Sequence, residues 1–455
     1  GLKKIEKKVR RISILDEKGK EIQPILYLLR EDDDFYYLFL CNTSDEWKKE
    51  KFPPVRERDM KFDNVIIKSF PEFKYQPLEF DQENGNVYKC DINKTENGYE
   101  IKTNFAPLGS KLFLIPKKEI SIECKERKKL KEVETKEIQK DKWEIKLSED
   151  NVLVLDMPYY KIGQERWNEK DEILRVDRKV RRYLGIKERG GAMVQPWVRK
   201  INKNPKSVDI HLKYEFFVDK IPSGELCICI EKPELYKIYI NGYRISEEME
   251  SGWWVDKSLR KINFDPSVLK LGKNEIILQT KYNENHPGLE IIYIKGEFGV
   301  KIEKNNDLRI VNKPEEIEIG DWTEKGLPFY SGNLTYMTKL KIENDNKRIF
   351  VRIPEYRGTA LRIFVNGQQA GIIAWQPNEV EITEFLSKND EEIILGIEVI
   401  GSRRNSHGPF HWFEKWSEWT GPGQFTPGEK EYYNGYQIVP SGLLKTPEIV
   451  FYQEI

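Results

Sequence analysis

Cysteine and histidine are both scarce in this chain of 455 residues. The five cysteines are Cys41, Cys90, Cys124, Cys227 and Cys229. They are odd in number, scattered and without CxxC spacing, which argues against a disulfide framework or a zinc site. Cys227-Ile-Cys229 reads as alternate positions of one strand. Four histidines (His211, His286, His407 and His411) are too few and too dispersed for a multi-histidine metal centre. No run of 18 apolar residues is present to span a membrane as a helix, and no leader pattern opens the chain. It starts at Gly1-Leu2 without Met, so it is expected to be a trimmed piece of something longer, and secretion or a cytoplasmic location stays open. Charge of one sign is lacking too: 76 basic residues face 76 acidic ones. A neutral surface does not fit a general grip on nucleic-acid phosphates.

Aromatics and strand patterns are what the sequence has in quantity. There are 22 Tyr, 21 Phe and 11 Trp. Such richness suits β-sheet cores, and flat rings also stack on the apolar faces of pyranoses. Lys, Glu and Ile are abundant in the manner of heat-adapted proteins. Ile25–Leu29 and Phe35–Cys41 flank a charged turn and predict a hairpin. Further strands are expected at 64–69, 85–90, 99–104 and 110–115. Short strands at regular spacing predict a sandwich over residues 1–117. Residues 118–142 are charge-dense and read as a solvated edge strand or linker. The pattern changes once: Ile173, Val176, Val180 and Leu184 repeat at helical spacing, and Gly185 is placed as a stop. One short helix is therefore expected near 172–185.

An internal repeat organises the rest. The first copy runs through Tyr214–Val218, Ile238-Tyr-Ile-Asn241-Gly242 and Leu271–Leu278. The second runs through Tyr336–Leu340, Ile363-Phe-Val-Asn366-Gly367 and Leu386–Leu395. Asn-Gly suits a tight hairpin because both central residues must take positive φ. The expected fold is all-β, with three consecutive sandwiches: 1–117, 143–312 and 313–455. The last two are related jelly rolls.

The second copy carries Asp321-Trp322, Gly326-Leu-Pro-Phe-Tyr-Ser-Gly332, Val365-Asn366-Gly367, Trp375-Gln-Pro377 and Glu381-Ile-Thr383. In combination these resemble the sugar-binding domain of glycoside hydrolase family 2 and related galactose-binding-like jelly rolls. The first copy, with Gly252-Trp-Trp-Val-Asp256 and Arg189-Gly-Gly-Ala-Met-Val-Gln-Pro-Trp197, is similar to C-terminal regions of glycosidases allied to family 2 and of the family 106 α-L-rhamnosidases. Residues 1–117 are similar to the small sandwich that follows their barrels. The resemblance implies an ancillary region of a glycoside hydrolase acting on plant or microbial polysaccharide, with a catalytic barrel in cis or in trans as partner. A (β/α)8 barrel needs about 250 residues of alternating strand and helix. One expected helix excludes it, so no catalytic acids carry over; a pair such as Glu231 and Asp256 has no warrant beyond being acidic.

The densest cluster of candidate contacts is Gly401–Phe413 with its continuation. Arg403, Arg404, Asn405, His407 and His411 suit hydroxyls or a uronate, and Trp412, Trp416 and Trp419 suit sugar rings. The competing expectations are that the loop folds back over the sandwich, or that it docks on the barrel. Of Trp253 and Trp254, adjacent on a strand, one should be core and the other exposed or at an interface. Trp322 and Trp375 are expected to pack, and His286 to sit in a turn. Asp256 and Asp321 are candidate oxygen ligands for a structural calcium ion, but no dense acidic loop supports such a site. The alternatives are an independent carbohydrate-binding protein, a scaffold without ligand, and an enzyme with an unfamiliar sandwich site.

Overall fold

The computed structural model describes residues 10–44, 46–48, 55–57, 60–69, 74–82, 85–95, 98–127, 129–139, 141–189, 201–343, 347–386, 392–414 and 420–455. The architecture is all-β, built from antiparallel sheets with few helices. The predicted N-terminal hairpin forms between Ile25–Glu31 and Phe35–Asn42. Its turn is held by Asp32, whose carboxylate accepts the amides of Asp34 and Phe35. This hairpin belongs to a five-stranded sheet that faces a four-stranded one. Ile12, Leu38, Leu40, Ile67, Phe113 and Ile115 form a separate core between them.

The central sandwich pairs a five-stranded sheet (Asn151–Leu155, Ile292–Gly296, Leu226–Glu231, Asp256–Phe264, Glu250–Trp254) with a larger sheet built around Ser207–Val218 and Gly272–Asn283. The C-terminal sandwich pairs a six-stranded sheet around Leu334–Leu340 and Ile393–Ile400 with a four-stranded one ending in Glu448–Glu454. Of two connections outside the sandwich cores, one is of the expected kind and one differs from the sequence-based segmentation. Within the charged stretch 118–142, Leu130–Glu137 is an edge strand paired with Glu448–Glu454. Trp143–Leu147, expected to open the middle jelly roll, pairs instead with Leu334–Leu340 of the last one. Hydrophobic alternation identifies a strand but does not name its neighbour.

Both Asn-Gly pairs form the expected hairpins. Asn241 and Gly242 have φ of 48° and 87°, and Asn366 and Gly367 have 50° and 82°. The two asparagines also repeat one long-range device. Asn241 exchanges contacts with Glu275, its amide donating to that carbonyl and its side chain accepting that amide. Asn366 does the same with Ile394. The repeat is thus a repeat of tertiary geometry as well as of sequence.

The helix spans Ile173–Leu184 and turns Ile173, Val176 and Val180 into the central core. Gly185 ends it at φ 69°, as placed from sequence. Glu172 caps the other end by accepting the amides of Leu174 and Arg175. Two one-turn helices, Arg404–His407 and Pro422–Phe425, were not anticipated.

Candidate functional site

The segment after Ile393–Ile400 does not project from its own sandwich. It crosses onto the central one and is largely buried there. Phe410, 3% exposed, belongs to the central core and meets Phe329 and Tyr436 edge-on. Asn405, 2% exposed, clamps Val439: its side-chain amide donates to the Val439 carbonyl at 2.8 Å and its Oδ1 accepts the Val439 amide at 2.9 Å. A side chain spent on two backbone groups has little left for a sugar hydroxyl.

His411 is buried against Asp156, with Nε2 3.0 Å from Oδ2 and Nδ1 3.1 Å from the Tyr433 carbonyl oxygen. The other Asp156 oxygen accepts the Tyr436 hydroxyl at 2.7 Å. Burial opposes charge on His411, but Asp156, with help from Glu172, outweighs it and holds the imidazole above its ordinary pKa. Glu172 is raised to about 7, first by burial and then by Asp156, against its helix-capping bonds and His411. Charge, hydrogen bonds and desolvation thus compete in one closed cluster across the two sandwiches.

A second contact group lies on the outer side of the five-stranded sheet. Arg403 pairs with Glu149 at 2.5 Å and lies over the Trp254 ring. The Trp254 indole donates to the other Glu149 oxygen at 2.9 Å. His407 packs against Trp254 and Tyr293, with ring centroids 5.4 and 5.6 Å away. Burial, with Arg403 nearby, pushes His407 down to about 4. Burial also lowers Arg404 to about 10.

The remaining candidates divide. Trp254 is buried while its neighbour Trp253 is 52% exposed, the alternation expected of a strand. Trp412 is half-buried, edge-on to Phe413 and bridged to Tyr432. Trp416 and Trp419 lie outside the described residues. Trp322 is buried as expected, whereas Trp375 is 53% exposed. His286 is buried in its turn, stacked on Tyr282. The two candidate calcium ligands are engaged by the protein itself: Asp256 accepts from Ser258, and Asp321 accepts the amides of Thr323 and of Ser441, 120 positions away. Among the described residues no group of three or more His, Cys, Asp or Glu is arranged to hold a metal ion.

Sequence reasoning missed the acids that organise the seam. Asp156 meets His411 across 255 positions, and Glu149 meets Arg403 across 254. Neither acid has a distinguishing local motif. It also missed a cleft of about 500 Å3 on the far side of Asp156, lined in part by Tyr159, Tyr214, Glu215, Lys273, Asn305 and Tyr436.

No family model matches the chain, and no curated protein matches it in sequence. Similar solved structures are rhamnosidases and other glycoside hydrolases, at low similarity. A rhamnosidase from Novosphingobium sp. PP1Y aligns over 99% of this chain with 9% identity and a TM-score of 0.43. The chain spans 26% of that enzyme's length. The α-L-rhamnosidase of Streptomyces avermitilis matches over 72% of this chain and 39% of its own, with 7% identity and a TM-score of 0.21. A family 86 β-porphyranase from Bacteroides plebeius matches over 60% and 36%, with 11% identity and a TM-score of 0.17. An anti-sigma factor domain-containing protein also matches, at a TM-score of 0.16.

Proposed function

We propose that this chain is a non-catalytic ancillary region of a glycoside hydrolase acting on plant or microbial polysaccharide. In this reading its two C-terminal sandwiches act as one block that supports a catalytic barrel carried elsewhere. The observation that carries the proposal is the buried seam. His407, Phe410 and His411 are spent on joining the sandwiches, with Trp254, Tyr293, the central core and Asp156 as counterparts. Buried charges that are paired and hydrogen-bonded across an interface fix its geometry. The loop residues that looked suited to sugar therefore serve a scaffold better than a binding site.

The test has two arms. The purified chain is incubated with a panel of aryl-glycosides and plant polysaccharides, and no turnover is expected. Turnover that persists through a second independent purification overturns the non-catalytic reading. Calorimetry of the full chain with His411→Leu should lower one transition shared by both C-terminal sandwiches. Separate melts for the two C-terminal sandwiches in the unmodified chain, beyond the N-terminal one, would remove the block.

A second reading, direct glycan contact at the exposed Trp253, has that single ring in its favour. Affinity electrophoresis with Trp253→Ala decides it: retardation by a polysaccharide that this variant abolishes would place the contact there.

A further inference from the structure

The outer face of the larger central sheet carries a group of side chains that the seam does not use. Its strands bring them level in one row. Lys161 of Tyr159–Ile162 lies opposite His211 of Ser207–Val218, and His211 opposite Gln279 of Gly272–Asn283. Gln279 in turn lies opposite Lys237 of Tyr236–Ile240. Successive residues of a strand face opposite ways, and the next residues Ile162, Leu212, Leu278 and Ile238 are buried, so this row points away from the core. A groove of about 550 Å3 opens along it, lined in part by Asp209, His211, Lys237, Gln279 and Lys281.

Trp167 stands beside His211 at one end of the row. It is 46% exposed, edge-on to His211 with 6.4 Å between ring centroids, and Lys213 Nζ lies 5.6 Å from its centroid. The backbone next to it is pinned, because the Asn168 amide donates to the Tyr160 carbonyl at 2.8 Å. A large aromatic ring that is fixed in place yet half open to solvent offers flat apolar area at little cost in ordering.

Charge decides which ligand suits this face. The outward positions of these strands carry Lys161, Lys213, Lys237, Lys273 and Lys281. Against them stand Asp209, Glu215 and Glu275. Glu215 is shared by Lys213 at 3.1 Å and Lys273 at 2.8 Å. The rim acids are taken locally, Glu247 by Arg244 and Glu234 by Lys232. Lys161, Lys237 and Lys281 have no ion-pair partner among the described residues, and of the acids on the face only Asp209 and Glu275 share that state. The surplus is positive, and it surrounds groups able to meet hydroxyls, Gln279 and His211.

We infer that this face binds an acidic saccharide chain, with Trp167 stacked on one sugar ring and Lys161, Lys237 and Lys281 meeting its anionic groups. The inference rests on the carbohydrate-related reading above, but on different residues from the seam and from Trp253.

The experiment titrates the full chain by calorimetry with oligogalacturonate, its methyl ester, a sulfated galactan oligomer and a neutral galactan oligomer. Polyphosphate serves as a polyanion without sugar rings. At least one of the two acidic oligosaccharides is expected to bind, and which one does so separates carboxylate from sulfate. The methyl ester, the neutral oligomer and polyphosphate should bind about tenfold more weakly or not at all. Trp167→Ala should weaken binding about tenfold. Lys237→Glu should weaken it by a similar factor without moving the melting temperature, since Lys237 is exposed and has no ion-pair partner to lose. Binding that both variants leave intact overturns the surface. So does equal binding of polyphosphate or of the neutral oligomer, and so does the absence of binding by either acidic oligosaccharide. Binding lost only with Trp253→Ala moves the sugar to the five-stranded sheet: this surface falls while the carbohydrate reading stands. Turnover assays test the ancillary reading separately.

Discussion

His411, His407 and His286 share an ordinary imidazole chemistry and are driven apart by their surroundings. Beside Asp156, His411 is held above its usual value. Burial pushes His407 and His286 down to about 4. The unfolded chain binds these protons at about 6.5. For His407 and His286 the native state binds its proton more weakly, so stability rises as pH climbs from about 4 to about 6.5. Glu172, raised to about 7, works in the opposite direction: stability falls as pH climbs from about 4.3, its unfolded value, to about 7. His411 extends that fall above the ordinary histidine range, because its stabilising proton is lost as pH passes its folded value. Two imidazoles against one carboxyl leave a net rise below about 6.5 and a decline above it. Histidine resonances followed by NMR should show His286 and His407 neutral at pH 5.5 and His411 protonated at pH 6.5. A protonated His407 at pH 5.5 would contradict its enclosure by Trp254, Tyr293 and Arg403.

Among the elements, the helix Ile173–Leu184 was the most legible in sequence. Its 3.6-residue spacing and stop glycine were both local signals. A Cβ added at Gly185 would meet nothing within 4 Å, yet φ is 69°. Gly185→Ala should therefore cost about 1 kcal/mol through backbone strain alone, and Gly185→Asn less, because Asn tolerates the left-handed region. Chemical denaturation checks the order. The segment 401–414 was legible only as a cluster of residue types. Arg, Asn, His and Trp in a loop suit a sugar, but they equally suit a seam, and only the neighbouring sandwich distinguishes the two. Asn405→Ala would strip partners from both the amide and the carbonyl of Val439. A loss of about 2 kcal/mol or more is expected in denaturant melts. An effect under about 0.5 kcal/mol would mean that the clamp is redundant.

At the scale of the whole molecule, three cores are expected to melt as two units. The N-terminal core is a separate cluster centred on Leu38, Ile67 and Phe113. The central core, by contrast, incorporates Phe410 and Phe329 from the C-terminal third, and the helix adds Arg175 to Glu429. Calorimetry of the full chain should therefore resolve one N-terminal transition and one larger transition for the joined sandwiches. Phe410→Ala, which removes a buried ring at the seam, should cost about 3–5 kcal/mol in the larger transition and leave the N-terminal one unmoved. A shift of both would mean that the N-terminal sandwich is coupled to the seam.

Local patterns were enough for the all-β class, the hairpins at Asn241-Gly242 and Asn366-Gly367, the tandem repeat and the helix, because each depends on residues a few positions apart. Periodicity, positive φ and capping are short-range physics. Which sheet takes Trp143–Leu147, and what His411 faces, depend on partners up to 255 residues away. The same holds for the row Lys161, His211, Gln279 and Lys237, which exists only because strands distant in sequence bring these residues level. Alternation chooses the buried face of a strand but not its neighbour, and a side chain's role follows from what burial leaves unpaired around it. Tertiary structure thus chose, among the roles that residue types left open for Arg403–Trp412, a packed position against the central sandwich.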